Sequence, residues 1–202
     1  MPSVYDLKPS FQRLLRPWAR ALVRAGASAN QVTLAALGLS ILTGALIALW
    51  PGSHWPLLLL PAVLALRMAL NALDGIMARE HGQATALGAL LNELCDVLAD
   101  AALYLPLALV PGLPAAPVVG VVVLGLIAEM TGVLGLTLGA ERRYDGPLGK
   151  SDRAFAFGAL ALALGLGVPS GAWLELVLWA LVALAALTVS KRARQVLRTR
   201  AP

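Results

Sequence analysis

Residues 71–80 read NALDGIMARE, and residues 91–100 read LNELCDVLAD. The two stretches set Asp74, Arg79, Glu93, Asp96 and Asp100 among leucine, alanine, isoleucine, methionine and valine. The rest of the chain is equally apolar: of 202 residues, 59% are hydrophobic and 13% charged, and the mean hydropathy is +0.78. That leaves too little polar surface for a soluble domain of this size, so the chain reads as an all-α integral membrane protein. Ionisable groups within a membrane span are costly and face a partner or a water-filled cavity. The quoted stretches therefore mark two helices and a site together.

Working outward, six apolar stretches at about 31–50, 56–78, 86–109, 116–139, 153–168 and 172–190 approach the ~20 residues that a helix needs to cross a ~30 Å hydrocarbon core. Turn-forming breaks separate them: PGSHWP, REHGQ, VPGLPAAP, ERRYDGPLGK and GVPSG. Fifteen of the sixteen basic residues fall before span 1, after span 2, between spans 4 and 5 or after span 6, and Arg67 is the exception. The alternate loops carry no Lys or Arg. The positive-inside rule makes the basic side cytoplasmic and puts both termini there. The net charge of +5 then favours anionic head groups. It argues against nucleic acid, because the charge is spread over segments that flank the membrane.

Three divisions follow: 1–27 as an amphipathic juxtamembrane helix, 28–190 as a six-helix domain, and 191–202 as a basic cytoplasmic tail. In the first, Leu14, Leu15, Trp18, Leu22 and Val23 recur at helical spacing with Arg13, Arg16, Arg20 and Arg24 between them. That pattern suits a helix in the interface plane, which Pro17 would kink or restart. The N-terminal stretch lacks the uninterrupted apolar core of a cleavable leader. Ser28 or Asn30 can cap span 1. Cys95 is the one cysteine, read as a small packed hydrophobe. His54 and His81 read as loop residues.

A short loop makes spans 2 and 3 antiparallel neighbours. Arg67, Asn71, Asp74 and Ala78 share one face of span 2, and Gly88, Asn92, Asp96 and Asp100 form a slowly drifting stripe on span 3. Facing each other, these stripes make an oxygen-rich hollow that is open to the cytoplasm. Hard oxygen donors suit Mg²⁺ or Mn²⁺, and no His or Cys cluster competes for a softer ion.

Asn71-x-x-Asp74-Gly75-x-x-Ala78-Arg79, eight residues, then Gly88-x-x-x-Asn92-x-x-x-Asp96 resembles the signature of the CDP-alcohol phosphatidyltransferase family. The resemblance extends to the six-span plan, the amphipathic N-terminal helix and the Asn30-x-x-Thr33 pair. It is nearest a bacterial branch with Asn at the first and third acidic positions. It implies transfer of a phosphatidyl group from CDP-diacylglycerol to the hydroxyl of a small alcohol, with release of CMP, in phospholipid biosynthesis at the bacterial inner membrane. It implies a divalent metal, Mg²⁺ or Mn²⁺, on Asp74, with Asp96 as the general base and a metal contact. Gly75 and Ala78 would admit the nucleotide to the helix backbone, Arg79 would pair with the diphosphate, and Gly88 would leave room for cytidine. A homodimer is also what the family implies.

The departures are Asn71 and Asn92, where the family carries Asp. Each removes a negative charge and keeps an oxygen donor, so Asn71, Asp74, Asn92, Asp96 and Asp100 form the expected ligand set, with Glu93 as a further source of charge. For the acceptor, GPLGKSDRAF (146–155) offers Lys150 and Arg153, and the end of span 6 offers Arg194. Their charge favours a phosphorylated alcohol, glycerol-3-phosphate or an inositol phosphate. Arg67 and Glu129 are open to a mutual ion pair. Two readings compete with a transferase. One is a silent family member that binds CDP-lipid as a scaffold. The other is a small transporter subunit, since intramembrane carboxylates also line ion paths.

Overall fold

A computed structural model describes residues 4–199, with side chains described from Phe11 onward. Among the described residues the chain is helical, without strands. The α-helices are α1 (Val4–Arg24), α2 (Ala29–Leu49), α3 (His54–Glu80), α4 (Ala86–Tyr104), α5 (Ala115–Thr137), α6 (Lys150–Gly165) and α7 (Ala172–Thr199), with a 3₁₀ turn at Leu105–Leu109. Four of them, α2, α3, α5 and α7, are long and apolar enough to cross a membrane. The acidic groups of α4 dilute its apolar character. At ~1.5 Å per residue the 16 residues of α6 span only about 24 Å.

Several boundaries depart from the expected spans for local reasons. The third span ends as α-helix at Tyr104, because Pro106 has no N–H for the carbonyl of Ala102. The backbone at Gly44 approaches that carbonyl so closely that a Cβ there would overlap it. The fifth span starts three residues early. Asp152 accepts from the Gly149 N–H at 2.9 Å and caps the helix at its N-terminus, so Lys150 and Arg153 lie inside its first turn. The basic segment after residue 190 continues α7 to Thr199. In α1 the helix runs through Pro17 without interruption. It ends where Gly26, at φ +83°, lets Ala27 N bond Leu22 O and Gly26 N bond Val23 O, the paired bonds of a Schellman cap.

The chain forms two compact units. One comprises Met1–Leu42 and Ala62–Ala99, the other Thr43–Pro61 and Asp100–Pro202. In the first, α1 packs Leu15 and Ala19 onto Ala29 and Val32 of α2 and Leu73, Ile76 and Met77 of α3. Ser28 caps α2 by accepting from Gln31 N at 3.2 Å, and the Gln31 side chain returns the bond to Ser28 N at 2.9 Å. Gln83, from the loop after α3, accepts from Ala29 N at 2.7 Å and donates to Ala27 O, which ties the start of α2 to the end of α3. In the second unit α5 packs along α7, and Tyr104 stacks on Phe157 with ring centroids 4.5 Å apart. The outward faces are apolar: on α4, Leu87, Leu90, Leu94 and Leu98 are all exposed, a stripe suited to lipid.

Candidate functional site

Helical phase decides which side chains of the first unit meet. Arg67, Asn71 and Asp74 lie three or four residues apart on α3, so they share one edge. That edge meets α4 at Asp96. Asn71 donates from Nδ2 to Asp96 Oδ1 at 3.0 Å. Buried Arg67 donates from a terminal nitrogen to the Asp96 backbone carbonyl at 3.1 Å and lies 3.8 Å from Oδ1. Asp96 is thus held at its main chain and at one carboxylate oxygen by two side chains of the neighbouring helix.

Asp74 is 5% exposed. It accepts from the Thr33 hydroxyl of α2 at 2.7 Å. The same hydroxyl lies 3.1 Å from Ala29 O, but it has one proton, and the shorter, charge-assisted bond to the carboxylate is the stronger claim on it. Cys95 sits buried on α4, next to Asp96 in sequence. The polar edges of three helices therefore form one layer: Thr33, then Arg67, Asn71 and Asp74, then Asp96.

The small residues of the motif make room. A Cβ on Gly75 would lie 3.0 Å from the Arg79 guanidinium, which folds back over the α3 backbone there. A Cβ on Gly88 would meet Asn30 Oδ1 at 2.8 Å and Thr85 Oγ1 at 3.0 Å. Thr85 caps α4 by accepting from Gly88 N at 2.9 Å. Arg79 is exposed, while Ala78, Asn92 and Glu93 are half-buried.

Among the described residues no group of three or more His, Cys, Asp or Glu is arranged to hold a metal ion. The oxygen donors on the facing edges are the carboxylates of Asp74 and Asp96 and the amide oxygen of Asn71, with Asn92 one turn before Asp96 on α4. All are hard oxygens, a set that fits Mg²⁺ or Mn²⁺ with few formal charges.

Asp100, the next residue of the α4 stripe, belongs to the second unit and has a different occupation. It is 3% exposed and accepts from Arg153 at 2.9 Å. Asp100, expected in the ligand set, here pairs with a buried guanidinium of its own unit. Arg153 also donates to Glu129 at 3.2 Å. Its shaft lies over Gly125, where a Cβ would sit 2.9 Å from Nε. Glu129 further faces Arg192 at 3.3 Å and Arg142 at 3.7 Å. So Glu129 gathers three arginines of its own unit, while in the first unit Arg67 faces Asp96.

Arg192 is a functional candidate that the sequence reading passed over. It is 1% exposed and donates to Ala128 O at 2.7 Å and Asp145 O at 3.1 Å. Its phase was the available signal, since Ala185, Thr188, Arg192 and Val196 are all buried along one edge of α7. Arg194, the residue selected from the sequence, is exposed, and Lys150 is half-buried. In the loop before α6, Arg143 pairs with Asp145 at 2.8 Å, and that guanidinium holds the Asp145 carboxyl below the usual range.

Comparison with known proteins places these features in a lineage. The profile of CDP-alcohol phosphatidyltransferase matches residues 27–190. The inner membrane protein YnbA of Escherichia coli is 46% identical over 198 residues, covering 96% of each chain. The phosphatidylinositol phosphate synthase of Corynebacterium glutamicum is 31% identical, covering 95% of this chain and 87% of its own. The crystal structure of the Mycobacterium tuberculosis phosphatidylinositol phosphate synthase PgsA1 with CDP-DAG bound superposes with a TM-score of 0.77 at 23% identity, over 91% of this chain and 94% of that one. The same enzyme has been solved with manganese and citrate, at a TM-score of 0.75 and 23% identity over 90% of this chain and 88% of that one.

Proposed function

The chain belongs to the CDP-alcohol phosphatidyltransferase family, and from that premise we propose that it moves a phosphatidyl group from CDP-diacylglycerol to a small alcohol and releases CMP. The observation that carries the reading is the restraint of Asp96 by Asn71 and Arg67. A general base must be aimed before it is useful, and here a carboxylate is aimed by a neighbouring helix. The acceptor hydroxyl loses its proton to the Asp96 carboxylate as its oxygen attacks the β-phosphorus of the lipid. The bond from that phosphorus to the bridging oxygen breaks, and CMP leaves with the electron pair. Arg79 faces the negative charge that builds on the leaving group, which is the main lever in phosphoryl transfer. Gly75, Ala78 and Gly88 keep the nucleotide's approach to the helix backbones open.

Asp74 and Asp96, with the amide oxygens of Asn71 and Asn92, would hold a divalent ion, Mg²⁺ or Mn²⁺. Bound there, such an ion neutralises diphosphate charge. Thr33 fixes the Asp74 carboxylate for that task.

The acceptor is proposed to be anionic. In the second unit the guanidiniums of Arg142, Arg153 and Arg192 converge on two carboxylates, Asp100 and Glu129, in a basic segment at the start of α6 and the end of α7. Lys150 and Arg194 retain solvent access and are the side chains proposed to meet a phosphate. Arg153, the third side chain proposed for the acceptor, is buried and holds Asp100 and Glu129. Glycerol-3-phosphate and inositol phosphate are the acceptors of this chemistry. α4 and α6 are proposed to complete six spans with both termini cytoplasmic, and a homodimer is proposed from family membership.

The test is product analysis. Purified protein with CDP-diacylglycerol, Mn²⁺ and each acceptor in turn should release CMP and a new anionic lipid. Release with glycerol or serine, and with neither phosphorylated alcohol, would refute the anionic acceptor.

A further inference from the structure

The basic groove along α1 belongs to no step of the proposed reaction. Two adjoining hollows of about 350 and 200 Å³ lie between α1 and the end of α3 and share Arg20 and His81. Pro17, Val23 and Arg24 complete the larger, and Arg16 and Glu80 the smaller. The larger is within the ~300–1,000 Å³ range of small-ligand sites. Arg16 is committed, since it meets Glu80 through Nε and a terminal nitrogen at 3.0–3.1 Å. No carboxylate among the described residues pairs with Arg20 or Arg24. Among the described residues, the larger hollow therefore presents the guanidiniums of Arg20 and Arg24 and the His81 imidazole.

The other faces of α1 name the occupant. Leu15 and Ala19 are spent on the core. Leu14 and Trp18 are 68% and 66% exposed, one turn apart on a face distinct from both the core edge and the arginine edge. An exposed Leu and Trp on a helix that also carries a basic edge seat it at the membrane interface, with the aromatic ring at head-group level. A ligand for this groove has a phosphate-ester head at the arginines and acyl chains beside Leu14 and Trp18.

We propose that Arg20, Arg24 and His81 form a binding site for the head group of an anionic membrane phospholipid, distinct from the substrate lipid's site. The bound lipid holds α1 against the end of α3. The proposal rests on the membrane reading and not on the transferase reading.

Native mass spectrometry of the full chain in neutral detergent tests it, with phosphatidylglycerol or phosphatidylcholine added. Phosphatidylglycerol should be retained preferentially. Arg20→Gln with Arg24→Gln should weaken its retention about 25-fold, taking a roughly fivefold loss for each basic residue. Lys191→Gln with Arg198→Gln removes the same charge from exposed positions on α7 and should leave retention unchanged. Equal loss in both pairs would mean diffuse charge attraction and would overturn the site. So would equal retention of the two lipids. Displacement of the lipid by millimolar inorganic phosphate would make the groove a free-anion site and would overturn the lipid assignment.

Discussion

Asn71 on α3 donates to the Asp96 carboxylate on α4 at 3.0 Å. The bond joins the first polar position of the motif to its last, across 25 residues of sequence. It also gives a physical account of an asparagine where the family carries an acid. An amide can donate to a carboxylate without a cation between them, whereas a second carboxylate at that distance would repel it.

Asn71→Asp therefore makes the protein dependent on divalent ions. The variant loses a hydrogen bond to a charged group, worth about 2 kcal/mol, and gains a like-charge contact. Thermal unfolding in EDTA should start lower than wild type, and Mn²⁺ should raise it by more than it raises wild type. Identical Mn²⁺ shifts in the two proteins would remove residue 71 from the metal's surroundings.

Arg153→Met leaves Asp100 and Glu129 buried without the guanidinium that joins them. Breaking a buried pair on one side costs about 3–5 kcal/mol, read as a lower midpoint in thermal unfolding. Adding Asp100→Asn should restore part of it, because the uncompensated charge is then gone. A double variant no more stable than the single would contradict the pairing.

The contact of Arg16 with Glu80 makes the docking of α1 pH-dependent. The Arg16 guanidinium, chiefly through its hydrogen bonds, holds the Glu80 carboxyl below its usual value. A depressed carboxylate contributes stability above its unfolded pKa and loses it as pH falls through the folded one. Amide exchange in α1 should thus be slow near neutrality and speed up in acid below the ordinary carboxylate range. Glu80→Gln should remove that acid-dependent component. An unchanged acid profile in the variant would show that another group holds the helix.

Much of this was legible in the residues. The apolar phase of residues 14–23 gave α1, and four-residue spacing gave the polar edges that meet at Asn71 and Asp96. What escaped was set by partners distant in sequence. Thr33 reads as an ordinary helix residue until Asp74 is packed beside it, 41 positions on. Glu129 could have paired with any basic residue, and tertiary packing chose Arg142, Arg153 and Arg192. Asp100 continues the α4 stripe by spacing, but helical drift carries it to Arg153. Arg192 and Arg194 differ by two positions, hence by roughly 200° around a helix, so one is buried and the other exposed.

The central claim is that Asp96 takes the acceptor's proton, and CMP release by wild type and Asp96→Asn tests it most directly. With CDP-diacylglycerol, Mn²⁺ and glycerol-3-phosphate or inositol phosphate, wild type should release CMP. Asp96→Asn, which can keep its bond to Asn71, should fold normally and fall by about 10²–10⁴-fold, the range for a lost general base. CMP release by the variant at the wild-type rate would contradict the account.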